Sequence, residues 1–259
     1  MIFALNTSIK INRFKMASNT EHKRESEILS GPAPASITAH VIDFSDTEVN
    51  EYKGYFAMTI DNVLTKKECE DLLRLVSLSG NTWPPATVTT YDGSYKLDLE
   101  SRFCDRIFYT SQSLADRLLA RILPLIPPKI ITLKDAPDIT GQFPVIRNET
   151  WRISRLRDEL RFLKYGPGQY FRPHCDGHFA DKKGEQSYLT LHLYLNDAVE
   201  GGATRFAVDF EDPQAGKLDV NPKAGSLVIF QQRDMYHEGV EVTKGTKYTM
   251  RTDVMYQKV

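Results

Sequence analysis

The chain has 259 residues, 41% of them hydrophobic, and 33 basic side chains against 34 acidic ones, for a formal net charge of −1. That length suits one large domain, with or without an N-terminal extension. The near-zero charge balance excludes a generic polyanion binder, which carries a strong basic excess, so nucleic acid is disfavoured as a partner.

Residues 1–15 contain Lys10, Arg13 and Lys15 but no acid. Mitochondrial leaders share this composition. The only apolar run there is Ile2 to Leu5, and Met16 offers a second start, so a flexible tail is the simpler reading. Residues 16–40 are polar and then rich in Pro and Ala. They extend the tail, which is expected to run from 1 to about 45. Regular structure is expected from near Tyr52, in "YKGYFAMTIDNVLT". Residues 46–150 form a mixed support region.

A first helix starts at Thr65, where Thr65 and Glu68 make a capping-box pattern ahead of Leu72, Leu73 and Val76, and Gly80 is a natural stop. A second helix carries Leu114, Leu118, Leu119 and Ile122 on one side, with Ser113 and Asp116 as capping candidates and Pro124 at its end. From residue 151 to 259 the pattern changes to short strands: "ELRFLKY", "SYLTLHLYL", "ATRFAV", "SLVIF" and "TKYTMRTDVMY". Turn residues punctuate them at Gly166-Pro167-Gly168, Gly201-Gly202, Asn221-Pro222 and Gly225. Many short strands without intervening helices predict a mainly β fold, a sandwich or jelly roll, with the two helices covering one sheet.

Three cysteines, Cys69, Cys104 and Cys175, are scattered and form no CxxC pair. They define neither a structural zinc site nor a disulfide framework, and a reducing compartment, cytoplasm or nucleus, is the default. No run approaches the roughly 18 apolar residues of a membrane span.

The chemistry concentrates in "FRPHCDGHF". His174 and Asp176 are two apart, so on a strand both side chains point to one face. Pro173 and Gly177 disfavour a helix, and with it a His174–His178 pair at i,i+4. Cys175, between them, points the other way. A second histidine, His237, follows the apolar run "SLVIF" and is placed near the end of that buried strand. Two histidines and one carboxylate form the facial triad of non-haem iron(II) oxygenases, with positions left for a bidentate co-substrate and for O2. A 2-oxoglutarate co-substrate needs a cation for its distal carboxylate. Lys247 on the next strand and Arg251, on the same face, are both candidates. Alone, H-x-D, a single histidine or a strand lysine is usually structural; their conjunction in one strand-rich half points to a site.

The pieces "LRFLKYGPGQYFRPHCD", "LTLHLYLND", "GGATRF", "PKAGSLVIF" and "HEGVEVTKGTKYTMRTDVMY" resemble, in order and spacing, the catalytic domain of prolyl 4-hydroxylase-like 2-oxoglutarate/Fe(II) dioxygenases. Residues 52–128 resemble the N-terminal part of that fold through "IDNVLTKKECEDLL" and "SRFCDRIFY". The resemblance implies a double-stranded β-helix (jelly roll) with His174, Asp176 and His237 as metal ligands. It implies Lys247 as the 2-oxoglutarate cation, with Arg251 as the alternative. It further implies pocket positions for Tyr165 and Tyr194, each of which could equally be aromatic core, and a structural place for Thr204.

The implied cofactors are Fe(II), 2-oxoglutarate and O2, with L-ascorbate as reductant. The implied reaction is C–H hydroxylation of a peptidyl proline or other protein side chain, with release of succinate and CO2. A small-molecule substrate and an inactive jelly-roll binding module are the alternatives. A hydrolytic zinc enzyme lacks support, because no HExxH accompanies the site and Lys247 would have no role. The arginines 147, 152, 155, 157 and 161 could grip an acidic substrate, but Glu149, Asp158 and Glu159 interleave with them and favour a solvated mixed-charge face. Specificity is expected in loops around 80–95, 135–150 and 178–186. Oligomeric state is not legible.

Overall fold

The computed structural model describes residues 25–78, 82–90, 94–197, 200–212 and 214–259. The leader-like segment, Met16 and Gly80 lie outside them. In chain order, β1 (Thr38–Val41) and β2 (Ala57–Asp61) precede helix α1 (Lys66–Leu78), and β3 (Val88–Thr89), β4 (Tyr95–Lys96), β5 (Arg102–Phe103) and β6 (Asp105–Thr110) lead to helix α2 (Gln112–Ile122). After β7 (Thr132–Leu133) come β8 (Trp151–Leu156), β9 (Glu159–Tyr165), β10 (Tyr170–His174), β11 (Gln186–Tyr194), β12 (Glu200–Gly201) and β13 (Thr204–Phe206). The chain closes with β14 (Leu218–Val220), β15 (Leu227–Gln231), β16 (His237–Gly239), β17 (Val242–Lys244) and β18 (Lys247–Lys258).

Two antiparallel sheets make the jelly roll. The major sheet has nine strands in the order β1-β2-β15-β11-β18-β8-β7, with β9 on the N-terminal half of β18 and β6 on β9. The minor sheet has five, in the order β14-β13-β16-β10-β5. Period-two alternation decides what each face of the major sheet does. Leu189, Leu191 and Leu193 of β11, Leu227 and Ile229 of β15, and Met250 and Val254 of β18 are buried in one core with α1 and α2. The intervening residues face the minor sheet, where Tyr194, Val228 and Phe230 pack with Phe206.

The helices seat as amphipathic elements. Thr65 and Glu68 form the reciprocal capping box: the Thr65 amide donates to Glu68 Oε2 (2.9 Å) and the Glu68 amide to Thr65 Oγ1 (3.2 Å). The second cap is Ser111 rather than Ser113, because Ser111 Oγ accepts from the Leu114 amide at 3.1 Å. Ser113 sits inside the helix and accepts from Arg117.

A larger difference lies at the N-terminus. Within the stretch to residue 45 expected to be a tail, β1 pairs with β2, and Ile28 and Leu29 are buried in the helical core. Glu25 accepts hydrogen bonds from Tyr109 and Ser111. Two adjacent apolar residues have no periodicity to read; the open edge of the major sheet and the α2 N-terminus are what fix this segment.

Candidate active site

The metal-ligand candidates come from the minor sheet. His174 ends β10 and His237 opens β16, and the two are register partners with ring centroids 4.4 Å apart. The strand expected to carry both His174 and Asp176 stops at His174, so alternation does not place Asp176. Its carboxylate is placed by the major sheet instead: Thr190 Oγ1 donates to Oδ2 at 2.7 Å and Arg251 Nη2 to Oδ1 at 3.0 Å. His237 likewise does not end the "SLVIF" strand. β15 stops at Gln231, and a turn with Asp234 at φ 55° carries the chain across to the other sheet.

The three side chains converge. Asp176 lies 3.7 Å from Nε2 of His174 and 3.7 Å from Nε2 of His237, and all three ligand atoms fall within 4.8 Å of one another. Cys175 is not part of the cluster. His174 Nδ1 lies 2.8 Å from the Arg172 carbonyl, and His237 Nδ1 lies 3.2 Å from that of Met235. Donating Nδ1–H to those oxygens leaves each Nε2 lone pair for a metal. Burial lowers the pKa of both rings, that of His174 to about 3, so both imidazoles are neutral as ligands must be. Burial would raise the Asp176 carboxyl, but the Arg251 guanidinium, with the Thr190 hydrogen bond beside it, holds Asp176 below the usual carboxylate range. Two neutral imidazoles and one carboxylate fit iron(II) with coordination positions to spare.

An enclosed pocket runs from the triad into the space between the sheets, lined among others by Tyr165, His192, Thr204, Lys247 and Arg251. Lys247 opens β18 directly opposite Tyr165 at the end of β9, and is 2% exposed. Its Nζ sits 5.2 Å from the Tyr165 ring centroid and 5.8 Å from that of Tyr194, with no ion pair among the described residues. Burial lowers the Lys247 pKa to about 7. Tyr194 donates to Thr204 Oγ1 at 2.8 Å, so its hydroxyl is held beside the pocket. Arg251 differs: its Nη2 is shared among Asp176, Asp253 (3.3 Å) and Thr190 (3.3 Å), while its buried Nε has no partner.

Two residues of the site escaped the sequence reading, one behind a ligand and one lining the pocket. Thr190 fixes Asp176, and His192 faces the pocket with its buried Nε2 unpartnered. The signal was there: in "LTLHLYL", alternation puts Thr190 and His192 on the same face as Tyr194. The arginine-rich stretch resolves as mixed charge. Arg155 pairs with Asp181 and Glu185, and Arg157 and Arg161 pair with Glu159 and Asp253.

Residues 160–252 match the sequence profile of the 2OG-Fe(II) oxygenase superfamily. That stretch contains His174, Asp176, His237, Lys247 and Arg251. The chain is also similar to prolyl 4-hydroxylases. It is 36% identical to prolyl 4-hydroxylase 1 of Arabidopsis thaliana over 117 residues, 38% of this chain and 41% of that protein. It is 26% identical to probable prolyl 4-hydroxylase 3 of the same plant over 216 residues, 74% of this chain and 67% of that one. The chain thus spans less than half the length of the first relative. Among solved structures, a Pseudomonas putida prolyl-4-hydroxylase superposes with a TM-score of 0.46 at 16% identity, covering 88% of this chain and 97% of that one.

Proposed function

We propose that the chain is an iron(II)- and 2-oxoglutarate-dependent dioxygenase that hydroxylates a C–H bond of a peptidyl proline or another protein side chain. A small molecule is the second substrate class. The observation that carries this reading is Lys247, a buried cation without a carboxylate partner, in the same pocket as a His-Asp-His cluster. An unpaired buried charge is costly, and a dianionic co-substrate relieves it. His174, Asp176 and His237 would hold the metal. Lys247 would hold the distal carboxylate of 2-oxoglutarate, with Tyr165, Tyr194 and Thr204 around it. Arg251 is the weaker anchor because Asp176 and Asp253 already balance its charge, whereas Lys247 has no carboxylate beside it.

Bound there, iron(II), 2-oxoglutarate and O2 supply C–H hydroxylation coupled to decarboxylation of 2-oxoglutarate to succinate and CO2, with ascorbate keeping the metal ferrous. The chain's residues do the rest by position. The Arg172 and Met235 carbonyls fix the two imidazoles, and Thr190 fixes Asp176. Phe171, stacked on His174 with centroids 3.6 Å apart, and Phe230, 4.6 Å from His237, shield the ligands from water. The peptide reading draws on the relatives' names and on an open cleft of about 810 Å³ that His174 and Asp176 line.

Succinate release from 2-oxoglutarate by the purified protein, with and without added iron(II), tests the reading. Release that depends on iron and disappears in His174→Ala is expected. Iron-independent release, or hydrolysis supported equally by zinc, contradicts it.

A further inference from the structure

Six arginines line the open cleft outside the triad, against three carboxylates, Glu159, Asp176 and Asp253. Arg157, Arg161 and Arg251 use up all three. Arg102, Arg106 and Arg172 remain, with no carboxylate partner among the described residues. Arg102 is only 8% exposed, and its Nε reaches no oxygen, only Cys104 Sγ at 3.3 Å. Arg106 is half-buried and donates to Thr87 Oγ1 at 2.9 Å. Burial first, and the neighbouring Arg102 second, lower its pKa to about 10.

All three guanidinium groups lie over aromatic rings: Arg102 at 4.4 Å from Phe171, Arg106 at 4.5 Å from Phe108 and Arg172 at 3.8 Å from Tyr170. Stacking fixes the plane of each fork and leaves its N–H edge for a bidentate acceptor. Two of the three are at least partly desolvated, so an anion bound there gains more than at an exposed lysine patch.

We propose that the substrate carries a carboxylate close to the C–H bond that is oxidised, and that Arg102 and Arg106 receive it; Arg172 stacks on the other face of β10, with Tyr170, and stays at the rim of the cleft. This rests on the oxygenase reading and adds the substrate's charge. A phosphodiester chain fits less well, because Glu159 and Asp253 share the same wall and would repel a repeating anion, and the whole chain carries a net charge of −1. The carboxylate can belong to an acidic residue flanking the target in a peptide or to a small carboxylic acid.

Binding to anaerobic protein loaded with iron(II) and 2-oxoglutarate tests this without turnover. The probes are a peptide with glutamates flanking a proline, its glutamine counterpart, and N-acetylproline with its amide. In at least one pair the acid should bind about tenfold more tightly than the amide, the loss expected when a charged hydrogen bond is removed. The peptide pair identifies a protein substrate and the small pair a free acid. Arg106→Gln and Arg102→Gln should each reduce that advantage to about twofold or less, with the iron–2-oxoglutarate absorption band retained as the sign of an intact site; Arg172→Gln, on the other face of β10, should leave the advantage unchanged. Equal binding of acid and amide in both pairs, including no binding by either, overturns the proposal. So does a preference that survives both Arg106→Gln and Arg102→Gln, or displacement of the acidic probe by an oligothymidine at lower concentration. Failure of the oxygenase reading itself shows separately, as absence of the iron–2-oxoglutarate absorption band in the same sample.

Discussion

Lys247 and Tyr165 face each other across the β9–β18 ladder, with the ammonium 5.2 Å from the phenol ring and shielded from water. A lysine in that position depends on what enters the pocket. Lys247→Met should raise the 2-oxoglutarate concentration needed for half-maximal succinate release by about 100-fold, the range seen when one partner of a buried charge pair is removed. An unchanged requirement would move the anchor to Arg251.

The same lysine gives a pH signature. Its folded-state pKa, about 7, lies below its ordinary value of 10.5. Between those limits the unfolded chain binds more protons than the folded one, so stability rises with pH. The destabilisation is therefore complete below pH 7 and fades as pH approaches 10.5. Thermal melts of the 2-oxoglutarate-free protein across this range should climb relative to Lys247→Met, and saturating 2-oxoglutarate should flatten the difference. Parallel curves without ligand would mean that Lys247 finds another partner.

Thr190 is the hinge of the metal site, because its hydroxyl places a carboxylate that the strand geometry does not. Thr190→Val keeps the shape and removes the hydrogen bond. Iron(II) affinity should fall by about 10- to 100-fold, as for other residues that orient a metal ligand, with the circular dichroism spectrum unchanged. Titration of the variant with iron(II) reads this directly; wild-type affinity would assign the positioning of Asp176 to Arg251 alone.

Away from the site, Arg121 ties α2 to the start of α1. Its side chain is 5% exposed and donates to Glu68 Oε1 at 2.6 Å and to the Val63 and Gly31 carbonyls. Arg121→Met should cost roughly 3 kcal/mol in denaturant unfolding, because it leaves Glu68 Oε1 and two carbonyls without their donor. A loss below about 1 kcal/mol would mean that water replaces it.

What the sequence discloses depends on length and alternation. β9, β11, β15 and β18 are long and apolar enough to read, and α1 announces itself by its capping box. The minor-sheet strands β5, β14 and β16 have only two or three residues each, too short for a period. Consequently the ligand-bearing residues were found as a chemical motif, and the turn that moves His237 to the other sheet was not foreseen. Lys247 and Arg251 share a face of β18, and spacing cannot rank them. Only the tertiary position of Asp176 and Asp253 shows that Arg251 has carboxylate partners and Lys247 has none. Arg102 and Arg106 sit outside any charged run in the sequence; folding leaves them unpaired together.

The most direct test of the central claim is the visible spectrum of the protein loaded anaerobically with iron(II) and then with 2-oxoglutarate. Bidentate chelation of ferrous iron by a 2-oxo acid gives a weak charge-transfer band without any primary substrate. The band should appear in the wild-type protein, vanish in His174→Ala and need far more 2-oxoglutarate in Lys247→Met. Iron bound in the cluster with no band at any 2-oxoglutarate concentration would contradict the account.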